Sequence, residues 1–221
     1  MTIIESIQYY LPELMQAMEE TLIMMSISIF AAVLIGLPLG ILLFISRENN
    51  QGTILYQILN LLITVIRSFT YLLFVVAMIP VTRFLLGSSF GPIPASIPLS
   101  IVSIVIYARL VEQVLLDVPE DVGLLARSLG VSTYQYVKEF LLVEARSGLI
   151  LSLTTTIVSM VSYSTVMGIV GGGGIGDFAI RYGYQRYEYG VMYFSILVMI
   201  VAVFSIQLIG NGLAKKVDKR K

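Results

Sequence analysis

The residues whose types could carry chemistry are few, and what is missing narrows the options first. The chain contains no His and no Cys. That removes thiolate nucleophiles, Cys/His zinc sites, His-ligated haem and the usual proton-shuttling base. Six glycines fall within nine residues, at 168, 171–174 and 176. They look like a phosphate cradle, yet no Lys-Ser/Thr follows and no strand precedes them, so the run is neither a P-loop nor a dinucleotide fingerprint. Its expected role is tight backbone at a membrane surface, beside an interfacial belt of Phe178, Tyr182, Tyr184, Tyr187 and Tyr189. Arg109 and Glu112 are spaced i, i+3 and can pair on one helix face; a solvated or interfacial helix end is their expected setting. Arg67-Ser68 interrupts a long apolar run. Ser152, Thr154, Thr155, Thr156, Ser159, Ser162, Ser164 and Thr165 crowd another. Hydroxyls at that density serve close helix packing before they line a polar path, because one helix cannot point all of them inward. No catalytic residue, metal ligand or cofactor-binding set is expected.

The elements that carry these residues follow from composition. Of 221 residues, 57% are hydrophobic and 13% charged, with a mean hydropathy of +0.90. Soluble domains carry about 25% charged residues, so an all-α integral membrane protein is expected, with room for five or six helices at about 20 residues each. Fourteen basic residues balance fourteen acidic ones, which argues against a nucleic-acid partner. A cleaved signal peptide is not expected, since Met1–Glu20 has no basic residue and carries Glu5, Glu13, Glu19 and Glu20.

Five transmembrane helices are expected at about 21–45, 57–82, 96–116, 149–170 and 191–214. A polar turn from Arg47 to Gly52 closes the first. Ile54–Leu86, at 33 residues, is too long for one straight span. Either Arg67 faces the bundle interior or a translocation path, or Ile54–Ile66 lies partly at the interface and Arg67 snorkels to the headgroups. The excess length favours the second. Gly87–Pro98, with two glycines and three prolines, is expected as a loop. Five spans put the termini on opposite sides. With the C-terminus inside, the cytoplasm holds Arg47, Arg109, Arg127, Lys138, Arg146 and the tail cations Lys215, Lys216, Lys219, Arg220 and Lys221. The outside then holds only Arg83, Arg181 and Arg186, with Arg67 unassigned. The positive-inside rule therefore puts the N-terminus outside, the C-terminus in the cytoplasm, and segment 117–148 in the cytoplasm.

That segment is the one long polar stretch. Pro119, Glu120 and Asp121 suit a helix start. Val122, Leu125, Ala126 and Leu129 recur at i, i+3, i+4 and i+7 as a narrow apolar stripe. Gly130 suits a left-handed cap, and Ser132-Thr133-Tyr134-Gln135 fits a capping box opening a second helix through Lys138 to Leu142. A lipid-resting helix would want a basic face, whereas Glu120, Asp121, Glu139 and Glu144 outnumber Arg127, Lys138 and Arg146. A rigid finger for a protein partner is expected.

Here the residues carry a family resemblance. Ala126-Arg127-Ser128-Leu129-Gly130, followed by Phe140-Leu141-Leu142-Val143-Glu144-Ala145, resembles the EAA loop of ABC importer permeases. IGLPLGILLFISR (Ile35–Arg47), IRSFTYLLFVVAMIPVTR (Ile66–Arg83), ARLVEQVLLDVP (Ala108–Pro119) and VGGGGIGDFAIRYGYQRYEYGVM (Val170–Met192) resemble the methionine-uptake branch, in matching order and spacing. The pattern departs at Leu124 and Leu125, where Glu and Ala are usual, at Val143 for Pro, at Arg146-Ser147 for Leu-Pro, and at Phe69-Thr70 for Ile-Pro. The resemblance implies an ABC type I importer permease fold in the bacterial cytoplasmic membrane. Two copies of the chain would form the pathway, with two cytoplasmic ABC ATPase subunits and an extracytoplasmic substrate-binding lipoprotein. The cargo would be a small amino acid, methionine foremost. ATP and Mg would be bound by the partner ATPase, leaving this subunit without a cofactor and without enzymatic activity. ATPase coupling would run through Leu125, Ala126, Arg127, Ser128, Leu129 and Gly130. Translocation or gating would involve Arg67, Ser68, Met160, Tyr163, Met167, Gly171 and Gly173. The competing reading is an ion-coupled secondary amino-acid transporter. Such proteins carry paired carboxylates or His at mid-membrane and inverted repeats; here Glu112 is the one acidic residue in a span, near its end. An intramembrane enzyme lacks the convergent groups it would need.

Overall fold

A computed structural model describes residues 8–48 and 53–218. The centre of the polar turn at 49–52 and the tail residues 219–221 lie outside the described residues. Those described form helices and no strand, as an apolar chain must when lipid offers its backbone no hydrogen-bond partner. Helix α1 (Leu11–Ala31) passes through one π-turn at Ala32–Gly36 into α2 (Leu37–Glu48). Through Arg47 the pair makes a continuous rod of 37 residues, about 55 Å at about 1.5 Å per residue. The hydrocarbon layer is about 30 Å thick, so the rod is longer than one crossing requires.

The expected second span, 57–82, is not one helix. It breaks into α3 (Thr53–Ser68) and α4 (Tyr71–Leu86), bent by 105° at Phe69-Thr70. Helix α3 is packed on the bundle: its Ile63 is buried in a cluster with Leu43 of α2 and Val105 of α5, flanked by Leu39, Tyr56, Leu59 and Ile66. Four helices are long and apolar enough to cross a membrane, and the bent pair can supply a fifth crossing.

Helix α5 runs from Pro92 to Leu116, so the expected loop 87–98 is corrected at its second half. Pro92 and Pro94 occupy the first turn, where a missing N–H costs nothing because those amides have no intrahelical acceptor. Pro98 lies inside the helix. Then come α6 (Glu120–Ser128), an irregular helical arm over Thr133–Gln135, Tyr136–Leu141 and Leu142–Glu144, and α7 (Arg146–Ile169). The short α8 (Gly174–Phe178) continues through a π-turn at Ala179–Tyr184, and α9 (Tyr189–Val217) ends the described chain. The two ends of the bundle differ. At one, α6 and the irregular arm project beside Ile45 of α2; at the other, the glycine run and α8 cover α1 and α7. They are called the finger end and the far end below.

The two largest buried clusters lie toward opposite ends of the bundle. Met24, Met25, Val75, Ala95, Leu99, Met160, Val161 and Met167 join α1, α4, α5 and α7 toward the far end. Ala32, Phe44, Tyr107, Val111, Leu115, Leu141 and Ala145 tie α2 and α5 to the arm of the finger.

Candidate functional site

The finger is held by two local caps. Pro119 is the N-cap of α6, and Glu120 and Asp121 fill its first turn, where the helix dipole favours acidic groups. At the other end Gly130 has φ +67°. Its N–H donates to the Arg127 carbonyl at 3.1 Å, and the Val131 N–H to the Ala126 carbonyl at 3.4 Å. That paired closure satisfies the orphan carbonyls of the last turn and requires the left-handed conformation glycine adopts without strain. Two residues on, the capping box is present: the Ser132 N–H donates to Gln135 Oε1 at 2.9 Å and the Gln135 N–H to Ser132 Oγ at 3.4 Å. The two arms touch where a Cβ at Gly123 would lie 3.4 Å from the Tyr136 hydroxyl.

Packing divides the apolar stripe of α6. Ala126 turns inward and is 3% exposed, whereas Leu124, Leu125 and Leu129 point outward at 62%, 54% and 62%. Arg127 lines a cleft of about 470 Å³ with Phe44, Arg47, Glu120 and Tyr136, and Ser128 Oγ donates to the Leu125 carbonyl at 2.7 Å. The coupling residues named from the sequence thus form the last turn of α6 and its C-terminal cap. The outward face of α6 presents Leu124, Leu125 and Leu129 with Asp121 and Ser128 exposed among them, and Leu124 stands where an acidic residue is usual.

Of the translocation candidates, Met160, Tyr163 and Met167 meet in the far-end cluster, while Arg67, Ser68, Gly171 and Gly173 lie outside it. Met160 and Met167 are fully buried within the protomer. Tyr163 stacks on Tyr71 with ring centroids 4.4 Å apart, and the Tyr71 hydroxyl is buried without a hydrogen-bond partner. Arg67 and Ser68 lie exposed at the break between α3 and α4, Ser68 Oγ donating to the Thr64 carbonyl at 2.7 Å. The hydroxyls of α7 at 152, 154, 155, 156, 159, 164 and 165 each donate to a carbonyl of their own helix.

Gly171 and Gly173 belong to the far end. Both have positive φ, at +84° and +78°, and they reverse the chain so that α8 lies back on α7. Gly168 of α7 packs against the Asp177 amide and Gly176 of α8 against the Thr165 backbone, contacts in which a Cβ would have no room. The first amides of α8 are capped from α1: Glu20 Oε2 accepts from the Gly174 N–H at 2.8 Å and Thr21 Oγ1 from the Ile175 N–H at 2.9 Å. Asp177 pairs with Arg181 at 2.7 Å. Burial raises the Asp177 carboxyl above its ordinary range, opposed by Arg181 and aided by the nearby Glu20 charge. Of the expected aromatic belt, Phe178 is instead buried, stacked with Tyr182 at 5.1 Å, while Tyr184, Tyr187 and Tyr189 are exposed.

The Arg109–Glu112 pair forms at 2.6 Å, but not at a solvated helix end. Glu112 is 1% exposed, with Arg47 Nη1 3.8 Å from its other oxygen, and Arg109 also donates to Asn60 Oδ1 at 3.2 Å. The charges therefore join α2, α3 and α5 at the finger end. Asn60, Glu20 and Thr21 are polar partners that sequence reasoning missed. Asn60 sits in an α3 stripe with Gln57, Thr64 and Arg67 that spacing could have revealed; the contact of Glu20 with Gly174 had no local signal.

Comparison with known proteins adds the family. Residues 32–221 match the family model described as binding-protein-dependent transport system inner membrane component. A probable D-methionine transport system permease protein of Vibrio cholerae is 38% identical over 209 residues, covering 94% of this chain and 93% of its own length. One from Haemophilus influenzae is 36% identical over 203 residues, covering 91% and 95%. Among solved structures, an inward-facing conformation of the MetNI methionine ABC transporter superposes with a TM-score of 0.90 at 34% identity, covering 93% of this chain and 96% of the other. An amino acid ABC transporter with histidines shares the fold alone, at TM-score 0.72 and 19% identity over 98% of this chain and 97% of the other. The chain belongs to the family of binding-protein-dependent transport system inner membrane components, the permease subunits of ABC importers.

Proposed function

We propose that the chain is the membrane-spanning subunit of an ABC importer for methionine, working as a pair of identical copies with an ATPase as a separate subunit. The observation that carries this reading is the finger. It is a capped α6 whose outward leucines stay more than half exposed among the described residues, at the end where its second arm feeds directly into α7. The relatives' names supply the cargo. On this reading the bent pair α3–α4 is one crossing, giving five spans with the N-terminus outside and the finger and C-terminus in the cytoplasm. Two cytoplasmic ATPases bind ATP and Mg and seat α6 through Leu125, Ala126, Arg127, Ser128, Leu129 and Gly130. An extracytoplasmic lipoprotein delivers the amino acid to the far end. Arg67 and Ser68 face the pathway, while Met160, Tyr163, Met167, Gly171 and Gly173 set its far-end closure by packing. The subunit itself performs no bond chemistry.

The test is reconstitution of the chain with its ATPase and lipoprotein in vesicles. ATP inside, at the finger face, should drive uptake of labelled methionine supplied on the lipoprotein. Uptake that persists without the ATPase, or that an ionophore abolishes while ATP stays high, would refute the reading in favour of ion coupling.

A further inference from the structure

Helix α3 has three faces rather than two. Tyr56, Leu59, Ile63 and Ile66 pack on α2 and α5. Ile58, Leu61, Leu62 and Val65 are exposed and apolar. Between these lie Gln57, Asn60, Thr64, Arg67 and Ser68, at i, i+3, i+7, i+10 and i+11, one continuous strip on a helix of 3.6 residues per turn. Every member except Asn60 is exposed. The strip starts at the finger end, where Asn60 meets Arg109. It climbs as Ile63 packs with Val105, near the midpoint of α5. On the five-span reading Arg67, one turn further and about 6 Å along the axis, lies a little past mid-membrane toward the far end. The far-end headgroups are then about 9 Å on, while helical side chains lean toward the helix N-terminus, here the finger end, so snorkelling that way is disfavoured.

Among the described residues the Arg67 side chain has neither a hydrogen bond nor an ion pair. A cation held at that depth faces water or a counter-charge rather than acyl chains. We infer that the Gln57–Ser68 strip lines the aqueous route between mid-membrane and the finger end, and that Arg67 at its head binds the carboxylate of the amino acid in transit. The inference rests on the uptake reading above and adds the group recognised. A guanidinium takes a carboxylate through two parallel N–H···O bonds and repels the substrate's ammonium, so it fixes which end leads. The neighbouring N-terminus of α4, whose N-cap Thr70 makes no side-chain cap, adds positive potential at the same break. Because the site is open and wet the contact is weak, as a transit site must be if cargo is to leave it.

The chain has no cysteine, so single thiols can be introduced without background. In the reconstituted complex, Gln57→Cys and Thr64→Cys should react with a membrane-impermeant cationic thiol reagent at least tenfold faster than Ile58→Cys and Leu62→Cys. Methionine added without lipoprotein should slow modification of the Thr64→Cys protein at least threefold, and methioninamide, which lacks the carboxylate, should not. Arg67→Gln in that background should abolish the protection, and Arg67→Lys, which keeps the charge, should retain part of it. Equal reactivity of the two faces, protection by the amide, or protection surviving Arg67→Gln would overturn the inference. Absence of ATP-driven methionine uptake by the parent complex would instead count against the uptake reading, whatever the thiols report.

Discussion

Replacing Leu124, Leu125 and Leu129 together by Ser should detach the ATPase without unfolding the membrane subunit. Full burial of a leucine contributes about 1.5–3 kcal/mol. These three retain 62%, 54% and 62% exposure in the chain alone, so each can still contribute about 1–2 kcal/mol on docking. Their sum is about 3–5 kcal/mol, or roughly a hundredfold to several thousandfold in the dissociation constant. Partner ordering and non-additivity place the measured loss nearer the lower figure. The folded subunit keeps Ala126, the packed residue of α6, so its melting temperature in detergent should move by no more than a surface change does. The assay is titration of the purified ATPase onto immobilised permease, with melting of the permease as the control. ATPase affinity within threefold of the parent would refute the assignment of this face as the docking surface.

Three further outcomes follow from the geometry. Gly130→Ala meets no neighbouring atom but forces an L-residue into φ +67°, at a cost of about 1–2 kcal/mol; hydrogen exchange of the Gly130 and Val131 amides should speed correspondingly, and unchanged protection would contradict the cap. Glu112→Gln leaves Arg109, 29% exposed, without its charge partner, and should destabilise the bundle by about 3 kcal/mol; an unchanged melting temperature would show the pair contributes nothing. For Asp177, burial raises the folded-state pKa above the unfolded one, so its stability contribution is fully present below the ordinary carboxylate range of about 4 and is lost as pH rises through the folded value. Titrating melting temperature against pH, Asp177→Asn should flatten that segment of the curve, and an identical slope in both proteins would exclude Asp177 as its source.

The features legible in the sequence were those decided within a turn or two of chain. Gly130, the Ser132–Gln135 box and the Arg109–Glu112 spacing each name their partner locally, and each contact forms. What distance along the chain hid was burial. Glu112 looked like a helix-end charge because nothing near it announces Arg47 and Asn60, which arrive on α2 and α3. The prolines at 92 and 94 are breakers by residue type, but their position in a first turn makes them harmless. The excess length of Ile54–Leu86 and the charge of Arg67 marked an interruption, but the 105° bend depends on how α3 seats against α2 and α5. Met160 and Met167 fill the protomer's own core, where four neighbouring helices converge.

Ala145 is at once the last residue of the finger's second arm and the N-cap of α7, with the Leu149 N–H donating to its carbonyl at 2.9 Å. No linker separates the two, so the arm and α7 behave as one lever pivoted where Leu141 and Ala145 are clamped between α2 and α5. The long limb of that lever is the 24 residues of α7, about 36 Å. A tilt of roughly 10° imposed at the short limb would displace the far tip by about 6 Å, the scale of one helical turn in a switching interface. Gly168 and Gly176 join α8 to that tip backbone to backbone, with no side chain between them to cushion the stroke. Motion delivered to the leucines of α6 thus arrives at the glycine cap nearly undamped.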